Sequence, residues 1–160
     1  MEAAGIVAEY NPFHGGHAFH IAETRRRLGG CAVVAVMSGN WVQRGECAVL
    51  DKWTRTRAAL EGGVDLVLEL PTPWAVSSAE SFARGAVELL AASGVVACLS
   101  FGSECGEADR LRQVADCLDS PRYPDALRRF LEEGAPFALC RQRAAEELLG
   151  PELAGLLACP

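Results

Sequence analysis

Gly5-Ile6-Val7-Ala8-Glu9-Tyr10 runs into Asn11-Pro12-Phe13-His14-Gly15-Gly16-His17 and then into the segment Ala18 to Leu28. The first six residues read as a short buried strand with its polar residue near the exit. Asn11, Pro12, Gly15 and Gly16 break that pattern and predict a tight loop. Helical spacing resumes at Ala18, with Ile21 and Leu28 on one face and Arg25, Arg26 and Arg27 towards solvent. Gly29 and Gly30 end it, as glycines do at helix C-termini.

The same rhythm repeats along the chain. Cys31 to Met37 (CAVVAVM) is a continuous apolar run of strand length, the mark of a parallel strand covered on both faces. A polar loop from Ser38 to Cys47 leads to a helix over Asp51 to Glu61, closed by Gly62 and Gly63. Val64 to Leu70 (VDLVLEL) reads as a third strand and Pro71 to Pro73 as a turn. Ser77 to Ala92 reads as a helix whose apolar stripe is Ala79, Phe82, Ala83, Ala86 and Leu90. Val95 to Phe101 (VVACLSF) is the fourth strand. This alternation predicts an α/β fold: a Rossmann-like parallel sheet with right-handed crossovers and helices on both faces. Beyond Gly102 only helices are expected, over Glu107 to Leu118, Tyr123 to Glu133 and Phe137 to Leu149. The division is an α/β core of residues 1–104 and a helical continuation of the same domain over 105–160. Doubly wound sheets usually have five or more strands, so a further strand is expected beyond Pro160, with the chain the front part of a longer protein.

Composition narrows the function. The 160 residues are 50% hydrophobic and 22% charged, which is globular rather than disordered. Aromatics are only 7%, so the core must be aliphatic. A net charge of −6 argues against tight, non-specific nucleic-acid binding by the chain as a whole. Nearly all basic residues are arginine, a bias typical of genomic composition; Lys52 is the only lysine. Seven cysteines at irregular spacing contain no C-x-x-C pair, so the usual zinc signature is absent. No signal peptide precedes the first strand and no apolar run is long enough for a membrane span. These features predict a reduced, cytoplasmic protein with no membrane partner, and nothing in them specifies an oligomeric state.

The unusual residues fall where strands end. In open parallel sheets, ligands bind at the carboxyl ends of strands beside the switch in strand order. Three polar, glycine-bearing loops should converge there: Glu9 to His17, Ser38 to Glu46, and Phe101 to Glu104. His14 and His17 bracket two glycines at the opening turn of a helix. A helix N-terminus offers unpaired N–H groups and a positive dipole, hence a site for an anion. Glycines there let a ligand approach the backbone. Two imidazole donors added to that cradle suit a triphosphate, whose charge rises on the α-phosphate oxygens during transfer. The Walker lysine loop and the G-x-G-x-x-G fingerprint are both absent. The competing reading makes His14, His17 and His20 metal ligands or plain polar loop residues; a metal is disfavoured because only Glu9 lies nearby at a ligand-like spacing.

H-x-G-H between a first strand and a first helix resembles the nucleotidyltransferase superfamily that includes class I aminoacyl-tRNA synthetases and pantothenate synthetase. Longer strings are more specific. GIVAEYNPFHGGHAFH at residues 5–20, AVMSGNWVQRGECAVLDKWTRTRAALEGGVDLVLELP at 35–71, SAESFARGAVELL at 78–90 and LSFGSE at 99–104 closely resemble the bacterial tRNA(Met) cytidine acetate ligase family. That family often has Asn in place of Gly15, a position where the motif tolerates any residue.

The resemblance implies an enzyme that uses ATP to activate acetate as acetyl-adenylate, releasing pyrophosphate. The acetyl group then passes to the wobble cytidine of elongator tRNA(Met), giving N(4)-acetylcytidine. The family's ATP-binding stretch corresponds to Val7, Ala8, Glu9, Tyr10, Asn11, Pro12, Phe13, His14, Gly15, Gly16, His17, Ala18, Phe19 and His20, with a further contact at Gly102. His14 and His17 would be the catalytic pair on the phosphates, and Mg2+ is compatible with that role. The family continues past Pro160 with an asparagine pair and a Ser- and Arg-bearing segment that complete the ATP site. Asn40, Gln43, Arg44 and Lys52 are candidates for acetate, phosphate or base contacts on the second wall. Trp41 and Trp53 either stack on a base or, as is commoner, pack loops onto the core. Arg25, Arg26 and Arg27 read as a solvated helix face. Two other functions fit the same residues: a nucleotidyltransferase acting on a small-molecule cofactor precursor, and an ATP-binding module inactive by itself.

Overall fold

The structure, a computed structural model, describes residues 3–103 and 105–157. Two compact units divide the chain, Met1–Phe101 and Gly102–Pro160. Glu104, at the expected boundary, and Ala158 to Pro160, before the expected further strand, lie outside the described residues.

The first unit holds a parallel sheet built from β1 (Ala3–Ala8), β2 (Ala32–Ser38), β3 (Leu66–Leu70) and β4 (Val96–Leu99), in the order β3-β2-β1-β4. The helices that connect them are α1 (Gly15–Arg27), α2 (Lys52–Glu61), the short α3 (Thr72–Ala75) and α4 (Ala79–Ala92). Every residue of β2 from Val33 to Ser38 is buried, as its unbroken apolar run requires. Its side chains alternate between two cores. Val34 and Val36 pack with Phe82, Ala86 and Leu90 of α4 on one face. Val33, Ala35 and Met37 pack with Ile21 of α1 and Ala59 of α2 on the other. The expected α/β sandwich, with helices on both faces, is the architecture observed.

Several element boundaries differ from expectation. β1 begins at Ala3 and ends at Ala8, because its ladder to β2 runs from Ala3↔Ala32 to Ala8↔Met37. Tyr10 is already out of the strand at φ 47°. Gly15 and Gly16 are not a loop but the first turn of α1, for a reason found in the histidines. Pro71 to Pro73 does not simply turn: proline at an early helix position starts α3. Ala79 and Ala83 are exposed, whereas Gly85 is buried beneath the Trp74 indole. The stripe of α4 is therefore Phe82, Gly85, Ala86 and Leu90, rotated to receive that ring.

The second unit is helical, with α5 (Ala108–Leu118), α6 (Arg122–Glu132), α7 (Phe137–Leu149) and α8 (Pro151–Ala154). Its core uses small residues, Ala126, Ala144, Ala145 and Ala154, around Cys117 and Tyr123, which lets the helices approach closely. The Cys140 thiol, fully buried, donates to the carbonyls of Phe130 and Ala135 at 3.2 and 3.3 Å, satisfying backbone at the α6–α7 turn.

Candidate functional site

Strand order reverses between β1 and β4, which opens a crevice at the carboxyl end of β1. A cavity of about 360 Å³ lies there, lined by Ile6, Val7, Ala8, Glu9, Tyr10, Asn11, Pro12, His14, His17 and His20. Most of the expected stretch from Val7 to His20 thus gathers in one place. Phe13 instead packs into the core, and Phe19 is 70% exposed. Gly102 is exposed and opens the second unit.

His14 and His17 cap α1 reciprocally. His14 is the N-cap, and its Nδ1 accepts the Gly16 N–H at 3.1 Å. In return the His17 Nδ1 accepts the His14 N–H at 3.2 Å. This is the logic of a capping box carried by imidazoles, and it brings the glycines into the helix. Both Nδ1 lone pairs are thereby committed, so the neutral rings carry their protons on Nε2. The rings stack at 3.7 Å between centroids, 25° from parallel, and offer their Nε2–H groups beside a helix N-terminus. Desolvation, and after it the charges of His14 and His20, hold His17 below the ordinary imidazole range, which favours this neutral state.

His20 has a different role. Its Nε2 bonds Ser100 Oγ at 2.9 Å; Ser100 Oγ bonds Thr24 Oγ1 at 2.6 Å; and Thr24 Oγ1 donates to the His20 carbonyl at 2.8 Å. The closed chain ties α1 to the residue following β4. Burial lowers the His20 pKa as well. For both histidines the unfolded chain binds protons more readily than the folded one, so stability is complete above about pH 6.5 and falls as pH drops through the lowered values. Thermal melts from pH 7.5 to 5 should show that loss, and the His17→Asn, His20→Asn double variant should flatten it.

Aromatic packing fixes the first histidine turn. Tyr10 meets the edges of Phe13 and His17 at 5.1 and 4.9 Å between centroids. Its left-handed φ is a strained conformation for a tyrosine, held by burial in the core. The Tyr10 hydroxyl is buried without a hydrogen-bond partner, and burial pushes its pKa up to about 12. Phe13 lies against Gly62 at the end of α2, where a Cβ would overlap the ring.

Arg55 holds the floor. Fully buried on α2, it donates through Nη1 to the Glu9 carbonyl at 2.5 Å, through Nη2 to the carbonyls of Ser38 (3.1 Å) and Gly39, and through Nε to that of Leu50 at 3.1 Å. One guanidinium therefore joins the ends of β1 and β2. The second loop is pinned to the first by two more bonds: Glu9 Oε1 accepts the Gln43 N–H at 2.8 Å, and Asn11 Oδ1 accepts the Val49 N–H at 2.7 Å.

The sequence profile of the HIGH Nucleotidyl Transferase family matches residues 1–157. The chain belongs to that family. It is 49% identical over 154 residues to the tRNA(Met) cytidine acetate ligase of Caldanaerobacter subterraneus subsp. tengcongensis, covering 95% of this chain and 38% of the relative. It is 48% identical over 151 residues to the enzyme of that name from Clostridium perfringens, covering 93% of this chain and 38% of the relative. Among solved structures, Thermotoga maritima TmcAL bound with alpha-thio ATP superposes with a TM-score of 0.88 at 41% identity, covering 98% of this chain and 39% of that one. The chain therefore spans about two fifths of the length of these relatives.

In this member of the HIGH Nucleotidyl Transferase family the second-wall candidates divide. Asn40 Oδ1 accepts the Lys52 N–H at 2.8 Å, and the Lys52 ammonium pairs with Glu69 at 2.7 Å. Gln43 is held through its backbone, and Arg44 lies exposed at φ 67°. Arg25 pairs with Asp65, while Arg26 and Arg27 share Glu23. Trp53 is 73% exposed and does not pack onto the core, whereas Trp41 is 45% exposed. Sequence reading missed Arg55 altogether: nothing in the string WTRTRAAL separates it from the exposed Arg57. Among the described residues no three His, Cys, Asp or Glu side chains gather as metal ligands, and no helix is long and apolar enough to cross a membrane.

Proposed function

We propose that the chain binds ATP in the cavity at the end of β1, as the nucleotide-binding part of a ligase. That ligase activates acetate as acetyl-adenylate and passes the acetyl group to the wobble cytidine of elongator tRNA(Met). The observation that carries this reading is the reciprocal histidine cap. Its two Nε2–H donors, and the positive end of α1 behind them, suit a triphosphate. The names of the relatives and the nucleotide bound by the Thermotoga protein support the choice of ATP, acetate and tRNA.

In the proposed reaction an acetate oxygen attacks the α-phosphorus in line, a new O–P bond forms, and pyrophosphate leaves with the electrons of the broken bond. No proton moves in this step, so neutral imidazoles suffice, donating to phosphate oxygens as charge grows there. Glu9 is the carboxylate that lines the cavity, and its Oε1 is already bonded to Gln43. A Mg2+ ion entering with ATP would thus be held chiefly by phosphate oxygens and water.

Two glycines open α1 directly after its cap. A Cβ on Gly16 would stand 3.0 Å from the His14 ring, whereas one on Gly15 meets nothing within 4 Å. Gly16→Ala should therefore displace His14 and weaken ATP binding severalfold, and Gly15→Ala should leave it unchanged, both read by calorimetry. The acyl-adenylate part of the proposal is tested by competition. Acetyl-sulfamoyl-adenosine, an unreactive mimic of acetyl-adenylate, should displace ATP at lower concentration than adenosine monophosphate does. Failure to displace ATP would overturn acetate activation at this cavity.

A further inference from the structure

We propose that Trp53 and Arg57 of α2, together with Trp41 and Arg44 of the preceding loop, form a platform for unpaired RNA bases. The proposal deepens the reading above and rests on its RNA substrate. It starts from an accounting of positive charge in the first unit. Arg25, Arg26, Arg27, Lys52 and Arg84 are ion-paired to carboxylates. Arg55 is spent on backbone carbonyls. Arg44 and Arg57 remain, exposed and without a carboxylate or carbonyl partner among the described residues. In a chain of net charge −6, the uncompensated cations of this unit fall on one stretch of chain, α2 and the loop before it.

That place is also where large aromatic surface faces solvent. Trp53 is 73% exposed in the first turn of α2, and Arg57 follows it by four residues, hence on the same helix face. The Lys52 ammonium lies 5.4 Å from the Trp53 ring, adding cationic character at the indole. The Asn40 to Lys52 bond ties the residue before Trp41 to the residue before Trp53, so the loop carrying Trp41 is fastened to the start of α2. Residues 41–47 form a small hook, with Trp41 bridged to Cys47, Val42 N donating to the Glu46 carbonyl at 2.9 Å and Arg44 at its tip. Glu46, two residues on, makes no ion pair with Arg44 among the described residues. Glu9, which lines the cavity, anchors the hook through Gln43. The platform therefore adjoins the proposed reaction site through a continuous hydrogen-bonded path.

Solvent-exposed indoles beside unpaired guanidinium groups are what single-stranded nucleic acid needs: flat faces for stacking bases and charge for the phosphates between them. A duplex hides its bases and cannot use the indoles. An unpaired loop is therefore the committed ligand, in keeping with a cytidine that must be splayed out for acetylation at its exocyclic nitrogen.

The test uses the 160-residue chain and a fluorescein-labelled RNA stem–loop with an unpaired, cytidine-containing loop, read by anisotropy at low salt. The same stem closed into a full duplex is the control. The stem–loop should bind more tightly than the duplex. Trp53→Ala should weaken it about tenfold, as loss of a base-stacking ring does. Trp53→Phe should recover most of the affinity, and Arg57→Ala should lower the slope against salt by about one contact. Equal binding of duplex and stem–loop, or no effect of Trp53→Ala, would overturn the proposal. So would sedimentation showing self-association that Trp53→Ala abolishes, which would make this face an interface between copies. ATP binding, measured on the same samples, keeps the two readings apart. Failure of the parent chain to bind the stem–loop while it binds ATP refutes the platform alone, and stem–loop binding without ATP binding refutes the cavity assignment alone.

Discussion

Alanine at His14 or at His17 is expected to abolish measurable ATP binding. Each substitution removes one Nε2–H donor to a phosphate oxygen, and a hydrogen bond to a charged group is worth about 1.5–3 kcal/mol. Each also removes half of the cap, at about 1 kcal/mol of helix stability. The two losses can be separated at His14, the N-cap residue. His14→Asn supplies a side chain that caps well but is too short to present a donor where Nε2 stood. Its melting temperature should match the parent while its ATP affinity still falls at least tenfold by calorimetry. Recovery of full affinity by Asn would mean that His14 serves only the helix.

Arg55→Ala is expected to cause the largest loss of stability in the first unit. It would leave the carbonyls of Glu9, Ser38, Gly39 and Leu50 without their donor in a dry interior, and a void where the guanidinium lay. Stranding buried polar groups and opening a cavity together cost about 3–5 kcal/mol. For a unit of this size that lowers the melting temperature by on the order of 10–20 °C. Arg55→Lys should recover only part of the loss, because an ammonium cannot span acceptors on two strands and a loop. Differential scanning calorimetry of the three proteins would settle the comparison, with equal melting temperatures removing Arg55 from its structural role.

Much of the fold was legible because its signals are local and repeated. The run from Cys31 to Met37 could only be a covered strand, and glycine pairs after Arg27 and Glu61 marked two helix ends. What escaped depends on partners distant in sequence. The indole of Trp74, lying over Gly85, decides which side of α4 turns inward, and nothing within α4 announces it. Gly15 and Gly16 looked like a break because glycine is a poor helix former. They are helical since imidazoles from either side satisfy the backbone there.

The site divides in the same way. The placement of His14 and His17 at a strand-to-helix junction was readable from pattern alone. Their tautomer was not, because it follows from which backbone N–H each Nδ1 accepts. The binding of Asn40 and Lys52 to each other and of Lys52 to Glu69 was equally hidden, since a polar residue in a loop looks the same whether it serves a ligand or the fold. Exposure of Trp53 ran against the usual fate of tryptophan, and only the structure displays it.

The chain has three histidines, at positions 14, 17 and 20, so their ring nitrogens can be resolved individually by long-range proton–nitrogen NMR. That spectrum tests the central claim, that two neutral imidazoles locked as Nε2–H tautomers form the phosphate cradle. Without nucleotide, His14 and His17 should both show protonated Nε2 and bare Nδ1 at neutral pH. On adding ATP the Nε2 signals of His14 and His17 should shift strongly, with His20 changing little. A proton on Nδ1 of either ring, or an ATP titration that moves neither Nε2, would contradict it.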